Sequence, residues 1–429
     1  MGRIAALALA SASTLLCAQV YGPPADKNVT APAAVPSSVP PDLAAITARA
    51  IEANPDVRAA RLNNRAAATD IRAAKWQQGP SVSVGLFGFE GGTQVVRNQN
   101  VTANVTVDQP IYQGGRISGE IDRARASERQ SLAITDETAQ DIALRVANAY
   151  YTYVGAVRRV GALDQGLTEH RSLVSSIERR VQQEVSPTVD LELGRSRTAQ
   201  LLQQQIAAKA QADASLQQLR VLLADPSFTP NVPPSYDPAV YHPSEAGAVE
   251  SATTCSPTRK RLQATAQVAR ADQKVARSQY LPHLSAQFSS NEVTGDRVGL
   301  SLTTALNGGL APIEAERAAK ARRLAAEMRV GSADVDVQTQ LAADFAENAA
   351  ARERVIAGRT AAEAARGVTD SYQRLFVVGR RSWLDVMNAA LEVTQAELAV
   401  QDAEVSAMAS AARIGLRTCR WQPQPQISR

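Results

Sequence analysis

Two proline-centred segments that return at a single offset constrain this chain more than any other feature. Ala53-Asn54-Pro55 recurs as Cys255-Ser256-Pro257, and Gly79-Pro80-Ser81-Val82-Ser83 recurs as Leu281-Pro282-His283-Leu284-Ser285; both prolines come back 202 residues on. Asp70 and Arg72 return as Asp272 and Lys274. Gly114-Gly115 and Arg123-Ala124 return as Gly308-Gly309 and Arg317-Ala318 at an offset of 194, so the second copy is eight residues shorter between its prolines and its glycines. Repetition bounds the fold before any local pattern is read, and a unit of ~200 residues is far longer than a solenoid repeat. One architectural half has been duplicated.

Each half reads as the same succession of elements. From Asp42 to Gln77 the apolar positions Leu43, Ile46, Ala50, Ile51, Val57, Leu62 and Ile71 step at helical spacing, with Asn54 as a capping residue before Pro55, so the helix kinks or restarts there. Gly79-Pro80 ends it. A hairpin is expected over 80–109: Val82, Val84 and Leu86 alternate with small polar residues, Glu90-Gly91-Gly92 interrupts, and Val101, Ala103, Val105 and Val107 alternate again. A proline-free helix follows over 116–183, ~100 Å long at 1.5 Å per residue. A mean globular helix has ~11–12 residues, so this one needs partner helices along its length, as in a coiled coil. Ser186-Pro187-Thr188 breaks it, and a return helix over 189–223 runs back. After a proline-rich connector at 225–244, the second half (245–418) repeats the plan: a helix, a hairpin at 282–304, a long helix at 312–377, the turn Gly379-Arg380-Arg381-Ser382 and a return helix at 383–418, before a tail at 419–429. A hairpin of this kind either packs one face on a soluble core or faces lipid with one side and water with the other; transmembrane strands are ~9–11 residues with that alternation. Four strands cannot close a barrel and open edges are not tolerated in lipid, so a lipid-facing reading demands an oligomer, and three chains give twelve strands.

Residues 1–18 read as a secretory signal peptide, with Arg3 before a short apolar run and small residues down to Ala18. Cys17 raises the question of lipidation, although Leu16 departs from the small residue a lipobox requires. Residues 19–41 form a Pro/Ala-rich linker. No later stretch is apolar for the ~20 residues of a spanning helix. A net charge of +4 without a basic tract argues against nucleic-acid binding. His170, His242 and His283 are scattered, and Cys17, Cys255 and Cys419 have no metal or redox spacing, so no metal or cofactor is expected. Asp334 and Asp336 read as a solvated helix face, and Tyr150, Tyr151 and Tyr153 as packing. The Gly91-Gly92 and Gly308-Gly309 pairs lack a phosphate-loop context. No enzyme constellation emerges.

In this order of elements the chain resembles the outer membrane factor family typified by TolC. The residues that carry the resemblance are Ala53-Asn54-Pro55, then Gln109-Pro110-Ile111-Tyr112-Gln113-Gly114-Gly115-Arg116, then Val378-Gly379-Arg380-Arg381-Ser382-Trp383-Leu384-Asp385-Val386, across roughly Pro41 to Arg417. The resemblance implies a mainly α fold with β-hairpins, assembled as a homotrimer: a 12-stranded outer membrane β-barrel in lipid, continued by a 12-helix periplasmic α-barrel. It implies docking onto a periplasmic adaptor (a membrane fusion protein) and an inner membrane ABC exporter or proton-driven pump. By the same resemblance Asp385 begins a pore constriction whose second acidic position is Asn388, and Arg381 with Asp190 forms an aperture latch, weakened because Phe376 stands where a supporting tyrosine can sit. The competing reading leaves Arg381 and Asp190 as solvated turn charges. The turns Ser186, Pro187, Thr188 and Val378, Gly379, Arg380, Ser382 are the expected adaptor contact, the first lacking the glycine of the second. Type I protein secretion is the first expectation for cargo, on the form of the two long motifs, with multidrug or metal efflux second. A periplasmic coiled-coil scaffold is the rival from another class, and an autonomous porin has too few strands.

Overall fold

The computed structural model describes residues 35–88, 101–231, 234–291, 295–304 and 309–423. The expected signal peptide, Cys17, residues 19–34 of the linker, the Glu90-Gly91-Gly92 loop, Gly308 and the last six residues of the tail lie outside them. The first half contains α1 (Pro41–Ala53), α2 (Pro55–Trp76), β1 (Ser81–Gly88), β2 (Val101–Gln113), α3 (Arg116–Gln182) and α4 (Thr188–Leu223). The second contains α5 (Ala248–Cys255), α6 (Pro257–Ser278), β3 (His283–Asn291), β4 (Gly295–Thr303), α7 (Ala311–Val377) and α8 (Trp383–Arg417). The duplication is one of architecture: α2 and α6 have 22 residues each, and α3 and α7 have 67 each.

The same local chemistry punctuates both copies. The Asn54 side chain accepts hydrogen bonds from the Asp56 and Val57 amides at 2.8 and 3.3 Å, with Pro55 at the first helical position. Ser256 accepts from the Arg259 amide at 3.3 Å ahead of Pro257. A proline at that position loses no helical hydrogen bond, so each pair bends the chain without breaking it. Gly114 and Gly115 carry φ of 59° and 90° between β2 and α3. At Gly114 a Cβ would come within 2.8 Å of the Leu281 Cβ, so the first glycine is needed for space as well as for φ.

The four strands form one antiparallel sheet in the order β1-β2-β3-β4, leaving β1 and β4 as open edges. The helices follow that order. α3 packs against α2 and α6, and α7 against α6, next to the sheet; α3 packs against α4 and α8, and α7 against α8, farther from it. Alanine and glycine line the seams. Gly166 on α3 lies against Thr394 on α8, and Gly358 on α7 against Val400, where any added Cβ would press on the facing side chain. This is the structural use of an alanine-rich, aromatic-poor composition.

The largest core gathers where α1, α3, α4 and α8 meet, with Tyr150, Tyr151, Tyr241 and Trp421 buried in it. The connector is tied down here. The Arg158 guanidinium donates to the Pro234 carbonyl, and buried Asn348 donates to the Tyr241 carbonyl at 3.4 Å and to the Ala407 carbonyl at 3.0 Å. Glu404, almost fully buried, accepts from Arg158 and Arg359 at 2.7 and 2.6 Å. Asp334 is not a purely solvated charge: it accepts from Arg259 at 2.6 Å and links α7 to α6. Cys255, at the end of α5, forms a disulfide with Cys419, just past α8. The sequence reading had assigned these two cysteines no partner.

Candidate functional site

The two turns far from the sheet are built alike. After α3 the Val185 amide bonds the Arg180 carbonyl at 2.9 Å and the Glu184 amide bonds the Val181 carbonyl at 3.0 Å. After α7 the Arg380 amide bonds the Leu375 carbonyl at 2.8 Å and the Gly379 amide bonds the Phe376 carbonyl at 3.0 Å. Both are the six-to-one and five-to-two pattern that closes a helix through a left-handed residue. Gly379 takes that position with φ 75°, and Glu184 takes it with φ 60°. The first turn has no glycine at this position. Its backbone does not differ; a glutamate holds the conformation instead, at a strain of ~1–2 kcal/mol. Glu184→Gly is therefore expected to stabilise this turn by ~1 kcal/mol, slowing amide hydrogen exchange around residues 180–188 about fivefold. Unchanged exchange would mean that Glu184 is held by contacts stronger than its strain.

This superposition of turns exposes an equivalence of charges. Glu184 corresponds to Gly379, Pro187 to Ser382 and Asp190 to Asp385, each 195 residues apart. Asp385 and Ser382 cap α8 reciprocally, the Asp385 amide donating to the Ser382 hydroxyl at 3.2 Å and the Ser382 amide to the Asp385 carboxylate at 3.3 Å. Pro187 offers no side-chain cap, so Asp190 has no such role. Partial burial pushes the Asp190 carboxyl above the usual carboxylate range.

Within one protomer the structure does not bring Arg381 to Asp190. Arg381 lies 3.7 Å from Asp385, one turn along α8, and its guanidinium stacks over the Tyr372 ring at 4.5 Å. Phe376 does not face Arg381: it packs on Trp383 with ring centroids 5.3 Å apart, under the Arg180 guanidinium at 4.7 Å. Trp383, 2% exposed, joins Ile177, Leu191 and Met387 in a core that welds the two turns together. Asp385 is half-buried and Asn388, one turn further on, is exposed. Val185, Val189, Val377, Val378 and Leu384 are exposed around both turns, so the tip offers an apolar surface rimmed by Ser186, Thr188, Arg380 and Arg381. The sequence reading missed Tyr372 and Glu184, and had Trp383 only as part of a motif, without its place in the core of the tip. The i to i+4 spacing of Arg381 and Asp385 could have found the observed ion pair.

About three turns back from the tip, His170 of α3 is fully buried, and neither ring nitrogen makes a well-formed hydrogen bond among the described residues. Burial lowers its pKa, partly opposed by the Ala390 carbonyl of α8 and assisted by Arg197 of α4. Because the folded pKa lies below the unfolded one, the unfolded chain binds the proton first. Stability should therefore fall as pH drops below ~6.5 towards the folded value. His170→Leu is expected to flatten the pH dependence of the melting temperature between pH 7.5 and 5. An unchanged slope would assign the acid sensitivity elsewhere.

At the other end, the strand register sorts the side chains onto two faces. Val82–Val107–Phe288–Val298 form one row across all four strands, and Gln109–Ala286–Leu300 and Tyr112–Leu284–Leu302 continue that face. Ser83–Thr106–Ser289–Arg297 and Ser81–Asp108–Gln287–Gly299 form rows on the other. The apolar face is bare: Val84 is 70%, Leu300 72% and Val298 84% exposed. Hairpins packed on a soluble core would cover these side chains; a bare apolar face opposite a polar one is the pattern of strands with lipid on one side and water on the other. β2 continues to Gln113 rather than ending near 109, because a bulge at Ile111 lets the interior strand accommodate Pro110.

The sequence model of the family described as "Outer membrane efflux protein" matches residues 47–225, which is the first half up to its connector. Over that half the chain is similar to this outer membrane efflux protein family. Solved structures carry the likeness through both halves. The outer-membrane channel OprN superposes with a TM-score of 0.81 at 18% identity, covering 91% of this chain and 92% of that one. CusC gives a TM-score of 0.80 at 13% identity over 88% and 92%. The Neisseria gonorrhoeae MtrE outer membrane channel, in its open state, gives 0.75 at 16% identity over 93% and 95%. These likenesses establish the fold. A search of curated proteins finds no match. Among the described residues no helix is long and apolar enough to cross a membrane.

Proposed function

We propose that three copies of this chain form one passive efflux duct, joined edge to edge. The observation that carries this reading is the unfinished sheet: lipid-facing rows on one side and unpaired strands at β1 and β4. In hydrocarbon every backbone polar group needs a partner, and a head-to-tail contact between unlike edges closes into a ring when the rotation fits. β4 of one copy pairs with β1 of the next, giving twelve strands, and α7 meets α2 and α4 of that neighbour below. Exposed apolar residues stand ready on both sides, with Met328, Val335 and Ile356 on α7 and Leu62, Ile206 and Val221 on α2 and α4.

The tip is the docking end for a periplasmic adaptor, through Ser186, Pro187 and Thr188 on one turn and Val378, Gly379, Arg380 and Ser382 on the other. Asp385 and Asn388 line the constriction. In the trimer Arg381 reaches Asp190 across a subunit boundary, exchanging its 3.7 Å contact with Asp385 for a latch, with Tyr372 behind it in the supporting place that Phe376 vacates. Asp190→Ala and Arg381→Ala are each expected to raise the resting single-channel conductance; unchanged conductance in both would remove the latch and leave two solvated charges.

The duct has no energy source of its own, so the inner membrane pump selects the cargo. Efflux of drugs or metals with a proton-driven pump is one reading, in keeping with the family description "Outer membrane efflux protein". Type I protein secretion with an ABC exporter is supported by the Gln109–Arg116 and Val378–Val386 motifs. Deleting the chain in its own bacterium separates them: heightened susceptibility to drugs or metals supports efflux, and loss of a protein from the medium supports secretion. Neither change would sink the duct.

A further inference from the structure

The water-facing side of the barrel wall carries charge at two heights, and the outer one has the chemistry of an anion site. Among the described strand residues on that face, Arg297 is the only permanent cation and Asp108 the only carboxylate. Arg297 stands in the row Ser83–Thr106–Ser289–Arg297, next to the turn that joins β3 to β4, and its side chain is exposed. Asp108 stands one row nearer the helices, opposite Gln287, whose amide donates to its carboxylate at 2.9 Å. Two residues along a strand separate the rows by ~7 Å. The two charges are thus held on different strands and cannot pair directly across the ladder. Serine and threonine fill the rest of the Arg297 row: Ser289 is its neighbour on β3, and Thr106 and Ser83 follow in steps of ~5 Å, so the row runs hydroxyls up to the guanidinium.

We propose that the outer mouth of the duct is an anion-binding ring, made by Arg297 of each of the three copies and specific for multivalent oxyanions of the phosphate type. This inference rests on the trimeric duct proposed above. Arginine's fork of N–H donors matches such oxygens two at a time, and the flanking hydroxyls complete the shell. Like charges converging on one lumen focus their field, which a single surface arginine does not. The Asp108 ring below opposes it. At low ionic strength the Debye length, ~30 Å at 0.01 M, spans both rings; at 1 M it shrinks to ~3 Å and each ring acts alone. Oxyanions arriving from outside therefore meet attraction first and repulsion behind it, so they lodge at the mouth rather than pass.

The test is block of the reconstituted full-length protein in a planar bilayer by inorganic tripolyphosphate added to one side at a time. Block is expected only from the barrel side. Arg297→Ser should raise the half-blocking concentration about tenfold, and Asp108→Asn should lower it, because removing the opposing ring strengthens the site. A role confined to packing would move both variants in the same direction. Equal block from the two sides, or block that survives Arg297→Ser, overturns the anion ring while leaving the duct standing. Absence of any conductance in the unaltered protein would instead overturn the duct.

Discussion

Replacing Cys255 and Cys419 together by serine is expected to lower the stability of the folded chain by about 5 kcal/mol, the value that chain entropy assigns to a loop of this size. The bond joins residues 164 apart, from the end of α5 to the residue after α8's cap. It encloses α6, β3, β4, α7 and α8, nearly the whole second half, so most of its effect is to restrict the unfolded chain. In the folded chain it also pins the sheet-proximal end of α8, whose other end forms the tip. An exported protein meets an oxidising compartment, where such a bond persists. The melting temperature of the double serine variant should fall well below that of the untreated protein, and reductant should shift the unaltered protein by the same amount while leaving the variant unmoved. Equal melting of variant and unaltered protein would show that the helical seams alone determine stability.

The second large effect belongs to the sheet. Leu300→Arg places a guanidinium on the bare face beside Ala286 and Gln109, at a cost of ~2–4 kcal/mol near the bilayer midplane, incurred once in each of three copies. Little heat-modifiable trimer should accumulate in the outer membrane. Ser301→Arg, one residue on, points into the water-facing side and should be tolerated. The contrast isolates sidedness from any general intolerance of charge, since the two positions are neighbours on one strand, Leu300 exposed and Ser301 half-buried. Equal loss in both variants would mean that the two faces have been assigned wrongly.

The features legible in the sequence were those whose physics is local. Proline at the first helical position, glycine at the strand-to-helix step and period-two alternation act within a few residues, so Pro55 and Pro257, or Val82 and Val298, announce themselves. The repeat then supplied the long-range plan. Contacts between distant segments left no such mark. Nothing near Cys255 indicates that Cys419 lies beside it. Glu184 carries no sign of a left-handed backbone, because any residue can be forced there by the helices on either side. The strand end at Gln113 was hidden by Pro110, which reads as a terminator until the bulge beside it is seen. At the tip, the charges were found but their partners were not: Arg381 chose Asp385 on its own helix, and the correspondence of Asp190 with Asp385 required aligning the two turns at 195 residues rather than 194 or 202.

The central claim is that open-edged chains close into one duct, and the most direct test is the oligomer itself. The detergent-extracted protein should have the mass of three chains, collapse to one on heating, and conduct in small, cation-preferring steps when placed in a planar bilayer, as the proposed Asp385 constriction requires. A monomer or dimer without conductance would contradict the account, and would leave the long helices as a periplasmic scaffold whose bare apolar sheet face had some other cover.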